Sequence, residues 1–310
     1  MPLVSVVIPT YNRPQYLREA IQSALGQSHR DLEVLVLDDA GPMDNGEVAA
    51  SFRDERIRYI RHEFNKGIFA NNLAGFRLAR GKYIADLNDD DRWESGFVEK
   101  LVAKLEAAPE ATVAFCDHFI MNGDGVIDEA ATERNTRAWK RDRLSPGLHM
   151  QWAQIGLLDQ SIPMVMAAVL RREAIDWDFF PEAVGSAYDY WLTYLAWKSG
   201  GAAYFLPERL TRYRVHAGQQ TLTGRIANLK SRIACLEHFL GDPRLASIHD
   251  ELRLRLNRAR CRLGRVLLTS GKGKDARRSF AAGWRGASLP DYCAFGLSFA
   301  PAAVRRFLLC

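Results

Sequence analysis

The chain has 310 residues, 47% of them hydrophobic and 25% charged, with a formal net charge of +5; this excludes a disordered chain and allows one large α/β domain with an appendage. Its five cysteines, Cys116, Cys235, Cys261, Cys293 and Cys310, show no paired spacing, which argues against a disulfide framework and for reduced thiols in the cytoplasm. No stretch reaches the roughly 18 uninterrupted apolar residues of a transmembrane helix, and the opening MPLVSVVIPTYN lacks the marks of a secretory signal.

Val4–Ile8 (VSVVI) is an apolar, β-branched run ending at Pro9, the pattern of a buried parallel strand. A helix is expected from about Pro14, because Leu17, Ala20, Ile21, Ala24 and Leu25 recur at helical spacing. Leu32–Leu37 (LEVLVL) reads as a second strand, stopped by Asp38-Asp39 and the turn-forming Gly41-Pro42. Strand Ile57–Ile60, helix Ile68–Ala79, strand Tyr83–Leu87, helix Gly96–Ala107 and strand Thr112–Cys116 continue the alternation. From about 118 to 163 the pattern loosens around Asn122–Gly125, as in a loop-rich segment that carries specificity. A strand at Met164–Leu170 and a helix at Tyr188–Lys198 follow. The remainder is expected to be helical over Leu222–Leu240, Leu245–Ser270 and Lys274–Trp284, with an apolar stretch at Tyr292–Leu309.

Strands alternating with helices imply a doubly wound, mostly parallel sheet, because parallel neighbours need crossover connections. Ligands bind such sheets at the carboxyl ends of the strands. Thr10-Tyr11-Asn12, Asp38-Asp39 and Asn88-Asp89-Asp90-Asp91 each follow a strand, so all three are expected to face one crevice. Consecutive carboxylates repel one another, a nearby cation would stabilise them, and hard oxygen ligands suit Mg²⁺ or Mn²⁺. Asp38-Asp39 fits either turn chemistry or base recognition, in which a carboxylate accepts an imide N–H while Tyr11 lies against the ring. A phosphoacceptor domain would want its acidic cluster after the first strand. The dinucleotide fingerprint, the Walker lysine motif and a Gly-rich, Arg-bearing loop after the first strand are all missing. The pattern therefore narrows to nucleotide binding through acidic strand ends and a metal.

VSVVIPTYNRPQYLREAIQSALGQSHRDLEVLVLDDA, then Asn65-Lys66-Gly67, then ARGKYIADLNDDDRW resemble, in order and spacing, the opening and the metal-binding segment of the family-2 glycosyltransferases with the GT-A fold. The resemblance is strong over residues 3–108 and traceable to about 221, where LPERLTRYRVHAGQQT is similar to the closing strand and His loop of that family. It implies a Rossmann-like GT-A catalytic domain over residues 1–221 and leaves 222–310 as a basic α-helical appendage. Position by position, it implies that Pro9, Thr10, Tyr11 and Asp39 contact the nucleoside and that Asp89 approaches the ribose. Asp90 would be the principal metal ligand, Asp91 would support the sugar or the metal, and His216 would complete the metal site or bind the diphosphate. Asn88 stands where the family usually has Asp, which shifts metal binding onto Asp90. Asn71 stands where the family often has Arg, so one phosphate contact must come from elsewhere.

Inversion needs a base for the acceptor hydroxyl. The Glu-Asp pair that the family often carries before an aromatic-rich helix is replaced here by Ser186-Ala187-Tyr188-Asp189, which makes Asp189 the candidate. The function so implied is a metal-dependent, inverting hexosyl transfer from a nucleotide diphosphate sugar, UDP-linked by preference, to a saccharide or lipid-linked acceptor in polysaccharide or glycoconjugate assembly. A catalytically silent nucleotide-sugar-binding or scaffolding protein is the alternative, and a helical interaction protein working through residues 222–310 a more remote one.

Residues 225–310 hold 17 Lys and Arg against 6 Asp and Glu, so the basic charge is concentrated in the tail. Leu252, Leu254, Leu256, Ala259 and Leu263 lie among its arginines, which fits a helix with one packed face and a solvated basic face. Attraction to anionic lipid head groups would use the same charge, with Tyr292–Leu309 at the interface. Peripheral contact with the inner membrane is thus expected of an otherwise cytoplasmic protein. No nucleic-acid-binding module is present in the sequence.

Overall fold

Val4–Thr10 (β1) is buried at every position and pairs in parallel with Leu32–Asp38 (β2), Thr10 lying opposite Asp38. The computed structural model that shows this describes residues 2–43, 45–219 and 224–300. Between β1 and β2, Pro14–Leu25 (α1) starts on a proline and buries Leu17, Ala20, Ile21 and Ala24, the stripe that the helical spacing requires. Asn45–Ser51 (α2), Ile57–Arg61 (β3), Gly67–Leu78 (α3) and Tyr83–Asp86 (β4) follow. The order β3-β2-β1-β4, parallel throughout, puts the carboxyl ends of β1, β2 and β4 side by side.

The sheet continues as β8-β6-β9-β5, through Ala168–Arg171 (β8), Ala111–Met121 (β6), Ala202–Arg214 (β9) and the short Arg92–Trp93 (β5). Gly147–His149 (β7) adds to β9. β8 runs antiparallel to both β4 and β6, so the sheet is mixed and mostly parallel. Phe97–Ala107 (α4), Glu129–Ala138 (α5) and Tyr188–Lys198 (α6) complete this part.

Two expectations change. The strand expected over Met164–Leu170 begins only at Ala168, because Met166 has φ 76° and its backbone turns to accept from Trp93 Nε1 and donate to Asp86 O. The segment expected to be loop-rich holds α5, capped by the Asp128 side chain accepting from Ala131 N–H.

The chain divides into two compact units, Met1–Phe180 with Tyr188–Ala217, and Pro181–Ala187 with Gly218–Cys310. Residues 181–187, placed in the first part by the sequence, belong to the second unit, where Ser186 Oγ donates to Asn228 Oδ1 at 2.6 Å. The boundary expected at 221–222 lies outside the described residues, as do residues 301–310. The second unit is helical, with Arg225–Gly241 (α7), His249–Thr269 (α8), Gly273–Gly283 (α9) and Leu289–Leu297 (α10). Leu263, Leu267, Ala276, Phe280 and Ala294 form its apolar centre. Among the described residues, Cys116, Cys235, Cys261 and Cys293 are free thiols, and no helix is long and apolar enough to cross a membrane.

Candidate active site

The carboxyl edge of the sheet is built from three turns that hold one another. After β1 and β2 the chain bends through Asn12 and Ala40 in the left-handed region, with φ 58° and 59°, a conformation that Asn tolerates and that strains Ala. Asp39 N–H donates to Thr10 O at 3.0 Å. Thr10 Oγ1 donates to Asp89 Oδ2 at 2.8 Å, and Tyr11 N–H reaches the same oxygen at 3.4 Å. The first, second and fourth strand ends are thereby joined, while the Tyr11 side chain stays 47% exposed.

Asp39 closes the second turn by receiving Lys66 N–H on Oδ1 at 2.7 Å and Gly67 N–H on Oδ2 at 2.9 Å, a carboxylate on the orphan donors of a helix start. Each oxygen keeps a further lone pair. α3 can approach this closely because Gly75 has no side chain: a Cβ there would lie 2.5 Å from Val7 Cγ1. Asp38, by contrast, is fully buried and accepts from Tyr59 Oη, Arg61 and Gly41 N–H, so it holds the turn.

In the acidic loop after β4, Arg13 Nη1 donates to Asp89 Oδ1 at 3.0 Å and to Asp90 Oδ2 at 2.8 Å. His216 Nε2 faces that same Asp90 oxygen at 3.1 Å. Asp91 looks elsewhere: its Oδ1 accepts from Arg214 N–H and its Oδ2 from Asn88 Nδ2, each at 2.9 Å. Arg214, almost fully buried, also donates from Nε to Asp90 O at 2.7 Å and pairs with Glu19. β9 thus fastens the loop from behind.

Burial first, and the Asp90 charge second, push the Asp89 carboxyl up to about 6, against the pull of Arg13 and Thr10. Asp91 is pushed well above the usual carboxylate range for the same two reasons. Burial works against the charge of Arg13, but Asp89 and Asp90 outweigh it and hold the guanidinium above its ordinary pKa. Burial and the crowding of carboxylates thus oppose full ionisation of the loop, and Arg13 offsets part of its charge.

Asp189 stands in the first turn of α6, with Oδ1 accepting from Tyr190 N–H at 2.8 Å. Beside it lies a pair that is not among the sequence-derived candidates. Tyr188 Oη donates to Asp86 Oδ2 at 3.4 Å, both side chains being buried. Burial first, then the neighbouring carboxyls of Asp86 and Asp189 with Asp90 adding to them, hold the Tyr188 hydroxyl well above its usual range, which relates the start of α6 to the acidic loop.

The sequence-derived candidates thus divide. Thr10, Tyr11, Asp39, Asp89, Asp90 and His216 meet at one corner. Pro9 is buried within β1 opposite Leu37, and Asp91 is turned toward β9. Asn71 is buried with its amide donating to Leu37 O, away from the loop. Arg13 and Arg214 were missed because an arginine in sequence carries no sign of the carboxylate it will meet. Asp86, a lone acid inside the apolar run Tyr83–Leu87, did leave a signal. Asp90 Oδ2 and His216 Nε2 fit a cation that takes its remaining ligands from water and phosphate oxygens. Among the described residues, no group of three or more His, Cys, Asp or Glu side chains is arranged to hold a metal ion alone.

The chain belongs to glycosyl transferase family 2, whose family model matches residues 5–176, over half of its length. It is similar to the glycosyltransferase EpsJ of Bacillus subtilis, 36% identical over 108 residues that make up 34% of this chain and 31% of EpsJ. Matches span between 30% and 45% of the length of EpsJ and two further relatives. In structure it is similar to S. aureus TarS 1-349 in complex with UDP-GlcNAc, with a TM-score of 0.66 and 16% identity over 96% of this chain and 85% of that one. It is also similar to the mannosyltransferase PcManGT of Pyrobaculum calidifontis in complex with GDP-Man and Mn²⁺, with a TM-score of 0.59 and 18% identity over 99% and 83%. These likenesses show the GT-A fold.

Proposed function

We propose that the first unit is an inverting glycosyltransferase that moves a hexosyl group from a nucleoside diphosphate sugar, UDP-linked by preference, to an acceptor hydroxyl. The observation that carries this reading is the meeting of Thr10, Tyr11, Asp39, Asp89, Asp90 and His216 at the carboxyl edge of a family-2 sheet. The nucleotide sugars bound by TarS and PcManGT, and the Mn²⁺ of the latter, support the donor class and the cation.

Tyr11 would lie against the base, Asp39 would accept its imide N–H and Asp89 would approach the ribose. Asp90 and His216 would hold Mn²⁺ or Mg²⁺, with Asp91 bracing the loop. What a bound divalent cation supplies is neutralisation of the charge on the departing diphosphate. Asp189 takes the proton of the acceptor hydroxyl as that oxygen attacks C1. The C1–O bond to the diphosphate breaks, its electron pair leaves on the nucleoside diphosphate, and the configuration at C1 inverts. A positioned base of this kind contributes about 10²–10⁴-fold. The acceptor would be a saccharide or lipid-linked hydroxyl of polysaccharide or glycoconjugate assembly.

The test is release of UDP from UDP-sugars with Mn²⁺, acceptors being screened in parallel. Asp189→Asn should bind UDP as the wild type does while turnover falls about 100-fold or more. Tight UDP binding by the wild type without turnover on any acceptor would favour a silent binding protein instead.

For the second unit, peripheral contact with an anionic membrane is the reading supported by the basic surplus of residues 225–310 and by the exposed side chains of Trp284, Leu289, Tyr292 and Phe299. Flotation on anionic vesicles should be lost on replacing Leu289 and Phe299 with Glu; equal recovery of wild type and variant would end this reading.

A further inference from the structure

Asp90 Oδ2 is claimed twice. It lies 2.8 Å from Arg13 Nη1 and 3.1 Å from His216 Nε2. A divalent cation held by that carboxylate and that imidazole would need its oxygen ligands at about 2.0–2.1 Å, closer to Asp90 than Arg13 now stands. Two positive groups so close repel strongly at low effective dielectric, so cation and guanidinium compete for Asp90 Oδ2.

Arg13 has somewhere else to go. Its second contact, to Asp89 Oδ1 at 3.0 Å, is to a carboxylate anchored independently by Thr10 Oγ1 and Tyr11 N–H. The arginine side chain is 27% exposed, against 6% and 9% for Asp89 and Asp90, so it is the most solvent-accessible member of the trio. Of the other cations nearby, Arg214 is buried on Asp90 O, Gly123 O and Glu19, and Arg92 pairs with Glu19. At position 71 an asparagine is buried against Leu37 O and offers no charge.

Building on the donor site proposed above, we infer that Arg13 is the resident counter-ion of Asp90 in the metal-free protein, and that a divalent cation displaces it. The guanidinium then pivots on Asp89 and grips the donor diphosphate, whose planar oxygen pairs suit its fork of donors. The residue that keeps the empty site neutral becomes a phosphate ligand once the site fills.

The two halves of this role have opposite signs in one variant. Arg13→Gln should bind Mn²⁺ without nucleotide about 5-fold or more tightly than the wild type, because the competitor is gone. With Mn²⁺ saturating, the same variant should bind UDP about tenfold more weakly, because a charge-assisted contact is lost. A residue that merely shaped the loop would weaken both. Arg13→Lys, which keeps the charge but cannot span two carboxylates, should show a smaller gain in Mn²⁺ affinity and carries the comparison should Arg13→Gln not fold. Mn²⁺ affinity is read from the electron paramagnetic resonance signal of the free ion, UDP affinity by titration calorimetry. Wild-type protein that binds UDP with Mn²⁺, beside folded variants whose Mn²⁺ affinity is unchanged or weaker, overturns the role of Arg13 alone. Wild-type protein that binds UDP neither with nor without Mn²⁺ overturns this role and the donor site together.

Discussion

Tyr188 points its hydroxyl at Asp86 Oδ2 across 3.4 Å, and both side chains are buried. Among the described residues, Asp86 Oδ1 has no hydrogen-bond partner. Burial, and after it the charge of Asp189, overcome the Tyr188 contact and push the Asp86 carboxyl from 3.8 up to about 8. In the folded protein at neutral pH, Asp86 therefore carries a proton.

That proton sets a pH dependence with a definite sign. Between about pH 4 and pH 8 the folded chain holds a proton at Asp86 that the unfolded chain has released, so this residue subtracts stability as pH rises through the window. Asp86→Asn removes the effect. Its melting temperature relative to wild type should climb from pH 5 to pH 8.5, by an amount equivalent to at least about 1 kcal/mol. Parallel curves would show that Asp86 ionises freely.

A second buried group acts in the opposite sense. Burial, with Arg141 next in effect, holds the His118 imidazole down at about 3. From about pH 6.5 down to 3 the unfolded chain takes up a proton there that the fold refuses, and stability falls with pH. Its neighbours raise the stakes. Arg141 Nε donates to Asp117 Oδ1 at 2.6 Å with both side chains buried, and Asp117→Asn would leave Arg141 without its charge partner, at a cost of about 3–5 kcal/mol. The double replacement Asp117→Asn/Arg141→Met should cost less than Asp117→Asn alone, as measured by urea unfolding. A double variant that is the less stable of the two would refute the stated cause.

Gly75 links packing to the site. A Cβ there would meet Val7 Cγ1 at 2.5 Å and Leu37 Cδ2 at 2.9 Å, so Gly75→Val must lift α3 from the sheet. The expected loss is about 1–3 kcal/mol. Because Lys66 and Gly67 present their N–H groups to Asp39 from the start of that helix, UDP affinity should fall with it. An unchanged unfolding midpoint would contradict the packing account.

What the sequence made legible was whatever depends on local pattern. Leu17, Ala20, Ile21 and Ala24 declared α1, and the strand-end positions of Thr10, Asp39 and Asp89 declared a shared edge, because parallel topology converts position along a strand into position in space. What it hid depends on long-range partners. β8 is shorter than its apolar run because Met166 leaves the extended region to serve Trp93 and Asp86. α5 leaves no trace in the pattern because its buried positions are Thr132 and Thr136, which give no apolar stripe. Asp91 follows Asp90 in sequence, and Arg214, 123 residues away, decides where its carboxylate points.

In the proposed function, the corner formed by Thr10, Tyr11, Asp39, Asp89, Asp90 and His216 grips a cation together with a diphosphate. Titration calorimetry of UDP with and without Mn²⁺, on the wild type and on Asp90→Ala, tests it most directly. Wild-type protein should bind UDP about tenfold or more tightly with Mn²⁺ than without it, and Asp90→Ala should lose that gain while retaining the weak metal-free binding. An Mn²⁺ enhancement that survives intact in Asp90→Ala would contradict the account.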